Sequence, residues 1–407
     1  MGVPRILAMV MAGGEGSRLY PLTADRSKPA VPFGGRYRIV DFVLSNLVNS
    51  EIYAIYLLVQ YRSQSLIEHV RRAWTQSSLQ PGHFVTVVPP QMRTGTDWFL
   101  GTADAVYQNL NLIVDRRPSL VAVFGADHIY RMDIQQMVRF HQEREADVTV
   151  AALPVPIEQA GAFGVIVTDR HGRVLEFQEK PANPVPMPGD PRRVYASMGN
   201  YLFTTEVLVR ALEQAHDRGE HDFGRHVLPR LKDIKRVFAY DFSCNLVPGV
   251  KPYEEPAYWR DVGTIEAYYA SHADMLGLRP RLDAFNTQWP IYSSNYHGPI
   301  AKIVSGMVEN SVLGGGTLVN GATVRNSTIR HEVLLDEGVV VEDSIISDYV
   351  MIERGCHIRR AIIDRYNIIK AGTRIGFDPE EDRKRYHVSE SGIVVVRSGH
   401  RGLDLVY

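Results

Sequence analysis

Short apolar runs separated by amphipathic stretches fill the first two thirds of the chain, beginning with Ile6-Leu7-Ala8-Met9-Val10-Met11-Ala12. Val85-Thr86-Val87-Val88, Leu120-Val121-Ala122-Val123-Phe124 and Val148-Thr149-Val150-Ala151-Ala152-Leu153 predict strands covered on both faces. The stretches 65–74, 103–112 and 133–144 between them have helical periodicity. Strand and helix in alternation predict an α/β domain over 1–275, built on a mostly parallel, Rossmann-like sheet. Ligands of such sheets bind at the carboxyl ends of the strands. Both the glycine-rich loop from Gly13 and Gly125-Ala126-Asp127-His128 fall there.

The pattern breaks at 276–300, where Arg279-Pro280, Trp289-Pro290 and Gly298-Pro299 read as an interdomain connection. Beyond it the apolar positions recur every 17 residues: Val312, Ile329, Ile346 and Ile363; Leu318, Leu335, Ile352 and Ile369; Val324, Val341, Ile358 and Ile375. Gly321, Gly338, Gly355 and Gly372 keep the same period. Three inward positions per turn, spaced six, six and five, predict a parallel β-helix over 301–407. So short a stack leaves flat faces to be covered by the first domain or by other subunits.

The first strand runs into Gly13-Gly14-Glu15-Gly16-Ser17-Arg18-Leu19, with Lys28-Pro29-Ala30 close behind. Glycines let backbone N–H groups approach a polyphosphate without interference from Cβ, and Arg18 and Lys28 add positive charge. There is no Gly-Lys-Ser/Thr, as a Walker A loop needs, and no third glycine at the dinucleotide spacing, which disfavours ordinary kinases and dehydrogenases.

Composition narrows the classes further. The 407 residues predict two domains, and 45% apolar with 22% charged residues is ordinary for a soluble globular protein. A net charge of −1 favours no nucleic-acid surface, and no apolar run is long enough for a membrane span or signal peptide. Cys244 and Cys356 lack metal-ligand spacing and fit a reduced cytoplasmic setting.

Several ordered motifs cover nearly the whole chain: Lys28-Pro29-Ala30-Val31-Pro32-Phe33-Gly34-Gly35, Asp41-Phe42-Val43-Leu44-Ser45-Asn46, Gly101-Thr102-Ala103-Asp104-Ala105, Asp127-His128-Ile129-Tyr130, Phe177-Gln178-Glu179-Lys180-Pro181, Ala196-Ser197-Met198-Gly199-Asn200-Tyr201 and Tyr258-Trp259-Arg260-Asp261-Val262-Gly263-Thr264. With the glycine loop they resemble the bacterial ADP-glucose pyrophosphorylases, or glucose-1-phosphate adenylyltransferases. The resemblance implies a nucleotidyltransferase domain followed by a left-handed β-helix, and adenylyl transfer from ATP to glucose 1-phosphate for glycogen-type glucan synthesis. It also implies Mg2+, small-molecule effectors and a homotetramer.

By the same resemblance Arg18, Lys28 and Asp127 are catalytic, and Asp127 and Asp261 hold the metal. Gly13, Gly14, Gly16, Arg18, Gln91, Gly101, Thr102 and Asp104 bind the nucleotide. Phe99, Gly164, Glu179, Lys180, Ser197, Asp222 and Trp259 line the sugar phosphate site. Arg26, Arg38, Gln60 and Trp98 match positions tied to effectors. Without the resemblance, Asp261 reads equally as a solvated loop acid, Glu179-Lys180 as a surface pair and Gln91 as an ordinary loop glutamine. His128 receives no proton-transfer role, because the attacking phosphate is already ionised at pH 7.

There are departures from the family. Phe99 replaces a tyrosine of many members, Asp25 stands where fructose-bisphosphate-responsive members have lysine, and Pro32 and Leu100 replace a histidine and an arginine of the enteric type. The competing readings are a sister enzyme using UTP, dTTP or GTP, a catalytically silent regulatory subunit, and an acetyl-CoA-dependent β-helix acyltransferase working through His331 or His357.

Overall fold

In the computed structural model, residues 4–74, 82–91 and 98–400 are described. Among the described residues, besides a short hairpin of Pro32–Phe33 with Tyr37–Arg38, the first domain has eleven strands: β1 (Ile6–Met11), β2 (Ala54–Leu58), β3 (Phe84–Val88), β4 (Leu120–Gly125), β5 (His128–Tyr130), β6 (Val148–Pro156), β7 (Gly164–Thr168), β8 (Val174–Glu179), β9 (Arg193–Thr204), β10 (Val237–Asp241) and β11 (Trp259–Asp261). Nine of them form one sheet in the order β8-β7-β9-β4-β1-β2-β3, with β6 joining β9 to β10. From β3 to β4 the strands are parallel, and β9 then runs antiparallel to β4. β1 lies at the centre, with Leu7 to Val10 fully covered, which explains its unbroken apolar run.

The predicted helices 65–74 and 133–144 form as α1 (Gln64–Ala73) and, later in the chain, α4 (Ile134–Glu143). Asp133 caps the latter by accepting from Gln135 N. The predicted helix 103–112 is instead two, α2 (Thr102–Tyr107) and α3 (Leu110–Arg116). At the break the Asn109 amide donates to Ala105 O at 2.8 Å, a side-chain bond that competes with the helical ladder.

From Lys302 the chain winds as a β-helix of parallel strands. Val341, Ile358 and Ile375, and Ile329, Ile346 and Ile363, point inward as predicted. The first coil departs from the 17-residue spacing. Leu313, not Val312, pairs with Ile329, and Val319, not Leu318, pairs with Leu335. The cause is a missing corner residue. Leu318–Arg325 runs as one strand that pairs with two later strands, where the next coil turns between Leu335 and Val340.

One face of the β-helix is covered by the first domain. Ile345, Ile362 and Val395 share a core with Leu19, Leu22, Phe33, Phe42 and Tyr268. Arg330, buried at this junction, donates to Phe33 O at 3.1 Å, Gly34 O at 2.8 Å and Tyr37 O at 3.0 Å, and its Nε meets Asp348 at 3.0 Å. The connection 276–300 contains no helix or strand and fastens to the first domain through Ser293 Oγ, which donates to the buried Asp41 at 2.7 Å.

Candidate active site

At the carboxyl ends of β1 and β4 a cavity of about 680 Å³ opens between the glycine loop and the β7 to β9 side of the sheet. Gly16 has φ +67, and a Cβ there would lie 2.8 Å from Lys28 Cβ, so the loop and the lysine stem meet only because position 16 is glycine. Lys28 opens a short 3-10 turn, Lys28–Ala30, and is buried. Its Nζ lies 3.0 Å from Asp127 Oδ2 and 2.8 Å from Asp261 Oδ1.

Asp127 arrives from the end of β4, where Gly125 N donates to Asn200 Oδ1 at 3.4 Å and Ala126 N to Met11 O at 3.1 Å. Asp261 arrives from β11, which pairs antiparallel with β5 so that Asp261 faces His128. That ribbon brings together two carboxylates far apart in sequence. Gly263 completes the site: a Cβ there would meet Asp261 Oδ1 at 3.0 Å and Arg18 Nη2 at 3.1 Å. Arg18 is exposed and lines the cavity.

Burial opposes the Lys28 ammonium, but Asp127 and Asp261 outweigh it and hold its pKa above the ordinary lysine value. Burial likewise opposes charge on Asp127, yet His128 and Lys28 together hold its carboxyl well below the usual carboxylate range. The group is therefore fully ionised at pH 7. Asp127, His128 and Asp261 each present one ligand atom, all within 4.8 Å of one another. Two carboxylates facing the cavity fit a hard divalent cation.

The opposite wall holds the residues expected at the sugar phosphate. Gly164, Glu179, Lys180, Ser197, Asp222 and Trp259 all line the cavity. Lys180 has φ +46, a left-handed conformation costing a non-glycine residue on the order of 1 kcal/mol. Its N–H donates to Phe163 O at 3.2 Å, which holds it there. Trp259 packs its ring against His128, centroids 4.8 Å apart, and against Phe163 at 5.7 Å. Thr102 Oγ1 donates to Asp222 Oδ2 at 3.0 Å and accepts from Phe223 N at 3.1 Å. Gly101 makes that closure possible, since a Cβ would fall 2.3 Å from His221 O.

Other expected residues stand apart from the cavity. Asp104 is buried beneath it and accepts from Leu100 N and Gln108 Nε2, both at 2.8 Å. Gln91 is exposed, bonded to Pro89 O, and outside the lining. Of the four residues expected at an effector site, Gln60 lines the cavity and clasps Phe99, accepting from its N–H at 2.6 Å and donating to its carbonyl at 3.2 Å. Trp98, beside that clasp, is 55% exposed. Arg26 is buried in an ion pair with Asp364 of the β-helix, and Arg38 donates to Ala30 O and Ser65 O. Burial, with Arg26 nearby, pushes the Arg38 guanidinium down to about 10.

Gly263 and Asn200 also shape the site, and within the stretches 258–264 and 196–201 no residue type alone marks them as functional. Their signal is an Asp-x-Gly spacing and a buried asparagine whose Nδ2 donates to Tyr130 OH while its Oδ1 receives Gly125 N.

A glycine loop at the end of the first strand, facing an ionised lysine and carboxylate cluster, defines a transferase of nucleotidyl groups. The sequence agrees: residues 7–277 match the Nucleotidyl transferase family, and 299–396 match the GlmU-like, C-terminal hexapeptide family, in agreement with a left-handed β-helix of parallel strands. The chain is 53% identical to the glucose-1-phosphate adenylyltransferase of Thermodesulfovibrio yellowstonii over 99% of its own length and 98% of that protein. It is 49% identical to the enzyme of the same name from Thermus thermophilus, covering 97% and 99%, and 49% to that of Mycobacterium leprae, covering 98% of each. The chain belongs to the glucose-1-phosphate adenylyltransferase family.

Proposed function

We propose that this protein transfers the adenylyl group of ATP to α-D-glucose 1-phosphate, forming ADP-glucose and pyrophosphate for glycogen-type glucan synthesis. The observation that carries the reading is the meeting of Lys28, Asp127 and Asp261 beside the glycine loop, across the cavity from Lys180. Arg18 and Lys28 bind the nucleotide phosphates and offset the charge that builds on departing pyrophosphate. Lys180 holds the phosphate of glucose 1-phosphate, whose oxygen attacks the α-phosphorus as the bond to pyrophosphate breaks. Glu179, Ser197 and Asp222 receive sugar hydroxyls, and Trp259 forms the apolar side of that pocket.

Asp127 and Asp261 would hold Mg2+, which would supply Lewis-acid polarisation of a phosphoryl group and positive charge between the two anionic substrates. Gly101 and Thr102 border the nucleotide side of the cavity, Asp104 supports them from beneath through Leu100 N, and Gln91 lies outside the lining. The enzyme works as a cytoplasmic homotetramer under small-molecule control. Arg26 influences that control through its ion pair with the β-helix, and Arg38 through the first-domain carbonyls of Ala30 and Ser65 that it ties together. Asp25 pairs with Arg397 at 3.1 Å, so effectors that need a free cation there are disfavoured.

Among the described residues no helix is long and apolar enough to cross a membrane. A silent regulatory subunit is disfavoured by an intact set of Arg18, Lys28, Asp127, Lys180 and Asp261 around one cavity. An acyltransferase using His331 is disfavoured by its stacking on Tyr296, centroids 4.6 Å apart. Incubation with Mg2+, ATP and glucose 1-phosphate, followed by chromatography of the products, tests the reading. ADP-glucose and pyrophosphate in equal amounts support it; pyrophosphate without a sugar nucleotide contradicts it.

A further inference from the structure

Lys28 occupies one oxygen of each carboxylate in the pair that a divalent cation would use. Its Nζ is 3.0 Å from Asp127 Oδ2 and 2.8 Å from Asp261 Oδ1. A dication bound at roughly 2.0–2.1 Å from its oxygens leaves no room for an ammonium on the same lone pairs, and the two positive groups repel. Only the end of the side chain is free to move. The backbone is fixed in the turn Lys28–Ala30, and the stem is pressed against Gly16. Open space lies alongside: nothing stands within 4 Å of a Cβ built on Gly14, which borders the same cavity.

We infer that Lys28 is a displaceable internal counter-ion. Before loading it neutralises Asp127 and Asp261; a divalent cation entering with the nucleotide releases its ammonium from the carboxylates, and the ammonium turns to the polyphosphate beside the glycine loop. The inference rests on the reading of Asp127 and Asp261 as the metal-holding pair. It makes one group serve two roles in sequence and couples metal entry to delivery of a catalytic charge. It also makes the metal bind weakly in the absence of nucleotide, because the competent arrangement is only a fraction of the population.

The test measures Mn2+ binding to the full chain without nucleotide, by electron paramagnetic resonance, for the parent protein, Lys28→Met and Asp261→Asn. Lys28→Met is expected to bind Mn2+ about tenfold more tightly than the parent, and Asp261→Asn more weakly. In the parent, saturating Mn2+ is also expected to speed modification of Lys28 by an amine reagent, read by peptide mass spectrometry. Equal or weaker Mn2+ binding by a folded Lys28→Met overturns the inference and leaves the metal reading standing. Should that variant not fold, an unchanged modification rate in the parent overturns it equally. Equal binding by the parent and Asp261→Asn removes the metal reading and the inference together.

Discussion

Arg26 and Asp364 form a buried ion pair between the loop that leads into Lys28 and the β-helix residue that follows the strand Ala361–Ile363. Both side chains are 1% exposed. The segment bearing the lysine is therefore braced by the second domain, with Arg330 holding the carbonyls of Phe33, Gly34 and Tyr37 a few residues on. Removing one partner leaves a buried charge without compensation, which costs about 3–5 kcal/mol. Asp364→Ala is expected to lose that much in chemical denaturation, while Arg26→Leu combined with Asp364→Leu recovers part of it. Equal destabilisation by the single and double variants would show that the pair is not what holds the junction.

Asp127→Asn keeps the shape of the side chain and removes its charge. Loss of a preorganised electrostatic contact of this kind typically lowers turnover about 10²–10³-fold. The expected result is such a drop in kcat with a smaller change in the KM for glucose 1-phosphate, measured by steady-state pyrophosphate release.

Lys180→Ala should behave in the opposite way. A charge-assisted hydrogen bond is worth roughly 1.5–3 kcal/mol, so the KM for glucose 1-phosphate is expected to rise by about 10- to 150-fold. The KM for ATP should stay near that of the parent. Equal increases for both substrates would move Lys180 away from the sugar phosphate.

His272 links pH to stability. Burial pushes its pKa down to about 3, with Tyr268 O accepting from Nδ1 and Nε2 receiving Gly34 N at 3.1 Å. The folded value is below the unfolded value near 6.5, so the unfolded chain binds more protons between them. The stabilisation is complete above about pH 6.5 and fades as pH falls toward 3, by up to roughly 1.4 kcal/mol per pH unit. Nuclear magnetic resonance of His272 is expected to show a neutral ring at pH 5, and thermal unfolding to shift downward from pH 6.5 to 4.5. A ring that titrates near 6.5 in the folded protein would refute the linkage.

Gly101→Ala tests the closure of the cavity from the other side. The added methyl would lie 2.3 Å from His221 O, which is backbone and cannot swing away. The strap from Phe99 to Thr102 must shift, loosening the bond from Thr102 to Asp222. Weaker binding of both substrates is expected from calorimetry, with a lowered melting temperature, since overpacking of this kind typically costs about 1–3 kcal/mol.

Much of this arrangement is legible in the chain itself. The strand-to-glycine transition at Met11 to Gly16 and the strand end at Asp127 place two parts of the site, because open α/β sheets bind ligands at those ends. Asp261 is different: it reaches the site through three-residue strands, β5 and β11, whose pairing no local periodicity announces, and only the surrounding motif singles it out. The β-helix registers are visible because the inward positions are large aliphatics, but the first coil slips by one residue where a corner is shortened. Arg26 and Arg38 show a further limit. A basic residue near an anion site reads the same in sequence whether it faces solvent, an internal aspartate as Arg26 does, or backbone carbonyls as Arg38 does, and only the folded contacts separate the cases.

The most direct test compares pyrophosphate release by the purified protein with Mg2+ and glucose 1-phosphate when ATP, UTP, dTTP or GTP is supplied, with and without sugar phosphate effectors. A strong preference for ATP is the expected result. Preference for another nucleotide, or no release with any of the four, would contradict adenylyl transfer by this chain.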